Sequence, residues 1–162
     1  VWVSTSRRLF PASLSTFNVA PERIIFMDVK SEKDVLWITE EALKCEGLAA
    51  VVAELNSLTL IESRRLQLAV EESGVTGFIL RKDASKAAST VATARWKISP
   101  LPTDTVDGLP GLGFPRWQVE LLKVRNGNPG SWVMEWAGER FEDVKWGAEQ
   151  SVWPETMERQ IG

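Results

Sequence analysis

Histidine is absent from this 162-residue chain, and cysteine occurs once. Without histidine the chain cannot form a Ser-His-Asp triad, a histidine general base or a histidine-ligated metal site. The single Cys45 allows neither an internal disulfide nor a cysteine metal cluster, which favours a reducing, cytoplasmic compartment. We expect Cys45 to be a small packed thiol near the end of a helix. These two absences exclude much of hydrolase and metalloenzyme chemistry within the chain.

Long apolar runs and nucleotide-binding motifs are also missing. No apolar run reaches about 18 residues, and no charged start leads into a hydrophobic stretch, so we predict neither a membrane span nor a signal peptide. Neither GxxxxGK[ST] nor a GxGxxG after a strand occurs. The nearest match, Gly108-x-x-Gly111-x-Gly113, contains Pro110 and leads into a strand, which is typical of a loop. The sequence therefore predicts no catalytic residue and no metal ligand, and it argues against an enzyme.

The composition is that of an ordinary folded domain, with 44% hydrophobic and 25% charged residues. We predict one domain over residues 1–137, followed by an acidic, tryptophan-containing tail over 138–162 that is either a docking helix or disordered. The net charge of −3 argues against nucleic-acid binding driven by overall charge, but it leaves room for a local basic patch. Such a patch is suggested between Arg81 and Lys97, where five basic residues accompany one acidic residue.

The hydrophobic pattern of residues 1–80 predicts strands alternating with helices. Strands are expected at 1–5, 23–29, 48–55 and 75–80, and helices at 11–17, from Ser31 to a stop at Gly47, and 59–73. The uniformly apolar stretch 48–55 suits a central parallel strand that is covered on both faces. Alternation of this kind predicts an α/β fold with a mostly parallel sheet flanked by helices. Because the chain starts directly in a strand and without methionine, we expect a fragment or a processed product.

A different pattern follows residue 80. Residues 84–90 are predicted as a loop, 93–99 as a strand and 100–115 as a Gly/Pro-rich connection. From Arg116 onward the residues alternate with a period of two, and Asn126-Gly127 begins a loop of about five residues that leads into a second strand, 131–136. The sequence thus predicts a C-terminal antiparallel hairpin as an extension of the parallel core.

Basic and aromatic residues interleave on these later strands, a pattern that can contact a phosphate backbone and stack on bases. Alternatively, the basic residues form a charged border of the strands, and the tryptophans point into the core. Two adjacent arginines on the second long helix are either a solvated face or an interaction surface. The candidate residues for binding nucleic acid or a partner are Arg64, Arg65, Arg95, Lys97, Arg116, Trp117, Lys123 and Arg125.

Glu54 ends the central strand, where a nucleotide-hydrolysing enzyme would hold a magnesium-binding acid. Without a phosphate loop we interpret it as a carboxylate at a solvent-touching strand end.

Five segments together resemble one known family: VWVSTSRRLFPASL, WITEEALKCEGLAAVVAEL, SRRLQLAVEESGVTGFILR, ARWKISPLP and GLGFPRWQVELLKVRNGNPGSWVMEW. Over residues 1–137 the chain is similar to the ImuA proteins, RecA-like accessory factors of bacterial translesion mutagenesis that are related to the cell-division inhibitor SulA. The resemblance implies a RecA-like core and a role in DNA-damage-induced translesion synthesis within the SOS response. It also implies action through a RecA-type recombinase and a polymerase-like subunit, with single-stranded DNA as a further expected partner.

Two alternatives stay open beside the scaffold interpretation. The resemblance places any phosphate loop upstream of residue 1, so the chain could belong to a RecA-type ATPase that uses ATP and magnesium, with Glu54 near the metal. Ala53-Glu54 stands where RecA proteins place an aspartate, which counts against hydrolysis. The second alternative is a SulA-like inhibitor of the division protein FtsZ. A sheet that lacks an N-terminal element would also leave an exposed edge, which favours a homo-oligomer.

Overall fold

The computed structural model describes residues 1–6, 8–81, 90–103 and 113–144. Contacts divide the chain into two compact units, Val1–Arg95 with Lys123–Asn126 and Trp96–Leu122 with Gly127–Gly162. The first unit contains a parallel sheet with helices, and the second contains most of an antiparallel sheet. The predicted loop at 84–90 lies outside the described residues except for Thr90, as do most of the predicted 100–115 connection and the tail after residue 144. The predicted division into 1–137 and 138–162 stays a prediction.

Sheet A has four parallel strands in the order β2-β1-β3-β4. The strands are β1 (Trp2–Ser4), β2 (Phe26–Asp28), β3 (Ala50–Leu55) and β4 (Thr76–Arg81). Two short 3₁₀ helices, Pro11–Phe17 and Pro21–Arg23, connect β1 to β2. Helix α1 (Glu32–Leu43) connects β2 to β3, and helix α2 (Leu60–Ser73) connects β3 to β4. The predicted alternation and the central position of β3 are confirmed.

Local capping chemistry sets the ends of both long helices. The side chain of Ser31 accepts a hydrogen bond from the backbone N–H of Asp34, as the sequence predicts. At α2, Thr59 and Glu62 form a reciprocal capping box, which satisfies two backbone donors of the first turn. The helix ends at Gly74, whose φ of 75° is left-handed and therefore suits glycine. Thr59, Glu62 and Gly74 thus allow both ends of α2 to be predicted from the sequence.

The core of the first unit lies between sheet A and the two helices. Helix α1 packs on β1 and β3, and α2 packs on α1 and β4. Because side chains alternate along a strand, Val51, Ala53 and Leu55 of β3 all face this layer, and all three are buried. Leu43 at the end of α1 is among the most fully buried side chains of the described residues. Strand β4 lies at the end of the sheet order and leaves Phe78 and Leu80 exposed.

Sheet B has the strand order β5-β6-β7-β8. Its strands are β5 (Ala94–Leu101), β6 (Arg116–Val124), β7 (Gly130–Trp136) and β8 (Phe141–Asp143). Strands β6 and β7 are antiparallel, as are β7 and β8. The five residues 125–129 separate β6 from β7, and Asn126 takes a left-handed φ of 61°. The predicted antiparallel hairpin and its loop length are confirmed.

Three expectations about element ends and burial are wrong. Strand β2 does not begin at Arg23, because Pro21 starts a 3₁₀ turn in which Ile24 N–H bonds to Pro21 O at 3.1 Å. Helix α1 ends at Leu43 rather than near Gly47, since the backbone N–H groups of Lys44 and Cys45 each bond back three residues, to Glu41 O at 3.2 Å and to Ala42 O at 3.0 Å. Cys45 is exposed rather than packed.

The burial of Glu54 corrects a fourth expectation. Its exposed fraction is 8%, so it is not a solvent-touching carboxylate. The indole N–H of Trp2, on the neighbouring strand β1, donates to Glu54 Oε1 at 3.0 Å. A buried carboxylate needs such a donor because it has lost its hydration. The aromatic side chain on β1 therefore supplies one hydrogen-bond donor to the buried Glu54 carboxylate.

Candidate functional site

A small cavity lies at the carboxyl ends of β1 and β2, the edge of a parallel sheet at which ligands usually bind. Its volume is about 190 Å³, and its lining is formed by Trp2, Ser4, Ser6, Leu9, Pro11, Phe26 and Asp28. Small-molecule sites usually enclose about 300 Å³ or more and combine apolar walls with several polar groups. Among the described residues, Asp28 is the one charged member of this lining, and none is a cation that could bind phosphates. The volume is also too small for a nucleotide.

Three predicted basic residues meet where β5 begins and β6 ends. Arg95 Nη2 donates to Thr90 Oγ1 at 3.3 Å, and Lys123 Nζ donates to the carbonyl oxygen of Thr90, also at 3.3 Å. The backbone N–H of Arg125 bonds to Thr93 O at 2.8 Å. Among the described residues, Lys123 and Arg125 form no ion pair with a carboxylate, and both are exposed. We call Arg95, Lys123 and Arg125 the basic cluster.

Thr90 contacts two members of this basic cluster, Arg95 through its hydroxyl and Lys123 through its carbonyl oxygen. Thr90 is buried, and the N–H of the next residue, Val91, donates to Ser63 Oγ on α2 at 3.3 Å. The cluster is thus attached to a helix of the parallel core rather than carried on a free strand end. Its arrangement suits contact with an anion that lies across two neighbouring strands.

The other basic residues of the later strands have carboxylate partners. Lys97 Nζ lies 2.8 Å from Glu120 Oε2, and Arg116 forms an ion pair with Glu135, its direct partner in the β6–β7 register. The exposed fractions of the Arg116 and Glu135 side chains are 11% and 14%. Neither Lys97 nor Arg116 presents an unpaired charge.

Strand geometry separates the basic residues from the tryptophans next to them. Successive side chains of a strand point to opposite faces, so Arg116 and Trp117 lie on different faces of sheet B. Trp117 faces Met134 of β7, and its ring packs edge-on against Phe141 with centroids 6.0 Å apart. Trp96 packs against Trp132 at 6.1 Å. Where β6 pairs with β7, Trp117 and Trp132 thus lie on one face of sheet B, and the Arg116–Glu135 ion pair lies on the other.

Arg64 and Arg65 lie on the exposed side of α2. Arg65 forms an ion pair with Glu40 of α1, and this pair connects the two helices. Arg64 Nη1 donates to the neutral side chain of Gln67 at 3.1 Å. Of the two, Arg64 is the cation that has no carboxylate partner among the described residues.

Comparison with curated proteins identifies the family. The protein named ImuA of Caulobacter vibrioides strain NA1000 is 34% identical over 144 residues, and the ImuA of strain ATCC 19089 matches equally well. Each match covers 83% of this chain. The chain belongs to the ImuA family. It spans 59% of the length of these two curated relatives. No protein-family model matches it.

Within this ImuA-family chain, the described residues contain no group of three or more acidic, cysteine or histidine side chains that could hold a metal ion. The helices of the described part are all too short or too polar to cross a membrane.

Exposed apolar residues on α1 and α2 were not among the predicted site residues. Trp37 has an exposed fraction of 62% and Ile61 of 77%, and Leu68 is also exposed. A signal for Trp37 exists in the sequence: at about 100° per residue, it lies well away from the apolar positions Val35, Ile38 and Ala42 that face the core. The angular position of Trp37 on α1 thus predicts its exposure.

Proposed function

We propose that this ImuA-family chain is a RecA-like accessory protein of DNA-damage-induced mutagenesis, and that it acts by binding other proteins. Its partners would be a RecA-type recombinase and a polymerase-like subunit of the same mutagenesis cassette, working in the cytoplasm during SOS-induced translesion synthesis. The relationship to ImuA is the observation that carries this proposal. The parallel order β2-β1-β3-β4, with both long helices on one side, supports a RecA-like core.

The surroundings of Glu54 favour a scaffold over an ATPase. A magnesium-binding carboxylate must present oxygens to the metal and to the substrate phosphates. Glu54 is instead buried, and one of its oxygens accepts the Trp2 indole N–H. ATP and magnesium are accordingly left out of the proposed function.

Direct binding tests the proposed function. The purified chain should bind the RecA-type recombinase or the polymerase-like subunit of its own bacterium with a dissociation constant near 1 μM or lower, about −8 kcal/mol. Interferometry with each immobilised partner measures this constant. Absence of binding to both proteins would contradict the proposal. If the chain instead stopped filament assembly by FtsZ at a one-to-one ratio, the SulA-like alternative would be preferred.

The basic cluster predicts a modest affinity for single-stranded DNA. The double variant Lys123→Glu with Arg125→Glu should weaken binding of an oligothymidine by about tenfold or more, because two cations near the phosphates become anions. The slope of log K against log salt should also fall, by about 0.7 for each phosphate that the variant no longer neutralises. Fluorescence anisotropy at several salt concentrations measures both quantities.

The matched control changes the same charge elsewhere in the first unit. Lys30 and Lys33 are exposed, and Lys30→Glu with Lys33→Glu alters the net charge by the same amount. This control should retain the parent salt slope. If the two double variants lose affinity equally, overall charge rather than the basic cluster holds the DNA.

A further inference from the structure

The face of sheet A opposite the two helices carries a row of apolar side chains. A Cβ added at Gly77 would touch side chains of both α1 and α2, so the side of β4 that bears Gly77 faces the helices. Side chains alternate along a strand, and Phe78 therefore points away from the helices. In the strand register Phe78 lies beside Val52, Val52 beside Trp2, and Trp2 beside Phe26. This apolar row crosses all four strands of the sheet.

The row is covered at one end only. Trp2 and Phe26 line the small cavity together with residues of the connection between β1 and β2, which therefore lies over that end of the row. At the other end the exposed fraction is 52% for Phe78 and 44% for Leu80, which follows two residues later on the same side of β4. We call Val52, Phe78 and Leu80 the Phe78 face.

The Phe78 face lies next to an unpaired strand edge. Strand β4 pairs with β3 from Thr76 to Arg81 and is the last strand in the order of sheet A. No strand of the described residues pairs with its outer side. The six residues TGFILR include neither proline nor lysine, which commonly protect an open edge from pairing. Because parallel sheets almost always have both faces covered, sheet A is incomplete at β4.

The occupant of this end of the sheet has to supply both a strand for the edge and an apolar cover for the face. A second copy that paired its own β4 with this β4 would leave both Phe78 faces open, because a strand added in the plane of a sheet covers neither face. An extended peptide bound at the edge would leave the face open for the same reason. A further portion of the same protein can do both, since about 30 residues form a strand-helix-strand unit.

We propose that the rest of the full-length ImuA-family protein completes sheet A at β4: one of its strands pairs with the outer edge of β4, and its apolar side chains pack on the Phe78 face. The matched region spans 59% of each curated ImuA protein, so both relatives contain a large further portion. Family membership and the geometry of sheet A carry this inference, so it does not depend on the proposed function.

Hydrogen exchange tests the pairing at β4. In the full-length protein, expressed from its complete gene, the amides of Thr76–Arg81 should exchange at least about tenfold more slowly than in the 162-residue chain. Strand β3 has neighbours on both sides and is the internal reference, which should exchange slowly in both proteins. Equal exchange at Thr76–Arg81 in the two proteins would overturn the proposal, and so would a complete gene that encodes no further residues.

Loss of the two exposed apolar side chains tests the cover. Phe78→Ser with Leu80→Ser should lower the Tm of the full-length protein by about 8 °C or more, because it removes contacts with the covering segment. In the 162-residue chain the same change should lower the Tm by under about 4 °C, since both side chains are already about half exposed. An equal loss in the two proteins would mean that the Phe78 face stays uncovered, and the proposal would be wrong.

A control variant removes large exposed side chains from the helix layer on the other side of sheet A. Trp37→Ser with Ile61→Ser should lower the Tm by under about 3 °C in both proteins. If this variant destabilises the full-length protein as much as Phe78→Ser with Leu80→Ser, the assignment to the Phe78 face is overturned. If sedimentation shows that the full-length protein protects Thr76–Arg81 only as a dimer, a second copy occupies the edge, and the proposal is wrong.

Discussion

Replacing Arg116 by alanine should lower the free energy of unfolding by about 3 kcal/mol, because it leaves the Glu135 carboxylate without its cation. The two side chains face each other across β6 and β7, and their exposed fractions are only 11% and 14%. Taking a carboxylate out of water is costly unless a partner compensates its charge. Urea denaturation followed by tryptophan fluorescence measures the loss, since Trp117, Trp132 and Trp136 lie on the same two strands.

Arg140→Ala supplies the matched control on the same sheet. Its ion pair with Glu142 has exposed fractions of 80% and 42%, so water and salt screen it, and the expected loss is under about 0.5 kcal/mol. A second variant, Arg116→Met with Glu135→Met, removes both charges and should recover most of the stability that Arg116→Ala loses. If Arg116→Ala costs no more than Arg140→Ala, burial does not strengthen the Arg116–Glu135 pair.

The parallel core could be predicted from sequence because its signals are local. Ser31 and Thr59 begin helices through hydrogen bonds to backbone groups three residues away, and Gly74 ends α2 with a left-handed φ. The uniformly apolar β3 indicates burial on both faces, and the structure places it between β1 and β4. Such signals depend on a few neighbouring residues, so they can be recognised in the sequence without knowledge of the tertiary structure.

The burial of polar residues could not be predicted, because it depends on distant partners. Glu54 is buried and accepts a hydrogen bond from Trp2, which lies 52 residues away in the chain. Ion pairing depends on distant residues in the same way, since Arg116 and Lys97 are paired with Glu135 and Glu120 on neighbouring strands. A pattern of basic and aromatic residues shows the alternation of a strand but not the carboxylates that neutralise one face of it.

The candidate surfaces were predictable only in part. Adjacent arginines on a predicted helix indicated a solvated face or an interaction surface, and Arg64 is exposed with the neutral Gln67 as its hydrogen-bond partner. Arg65 is held by Glu40, a contact between helices that spacing along the chain does not reveal. Trp37 was not among the predicted candidates, although its angular position on α1 excludes it from the buried stripe formed by Val35 and Ala42.

The largest effect on the parallel core is expected from Leu43→Ala, a loss of about 3 kcal/mol in the free energy of unfolding. Leu43 has an exposed fraction of 1%, and its side chain fills the space over Gly77 of β4. Truncation removes apolar contacts and leaves a cavity that the surrounding strands and helices fill only in part. Urea denaturation followed by circular dichroism measures the loss. Leu68→Ala, at an exposed position of α2, is the control and should cost under about 0.5 kcal/mol.

A second substitution tests whether the stability lost in Leu43→Ala comes from the contact between Leu43 and Gly77. A Cβ added at Gly77 would lie 3.3 Å from Leu43 Cδ2 and 3.7 Å from Val70 Cγ2, so Gly77→Ala alone is crowded and should cost about 1 kcal/mol. In the Leu43→Ala background the added methyl group enters the vacated space, and the same change should become neutral or stabilising. The double-mutant cycle should therefore give a coupling of about 1 kcal/mol or more between these positions. Additive effects would mean that the cavity left by Leu43 closes from α2 rather than from β4.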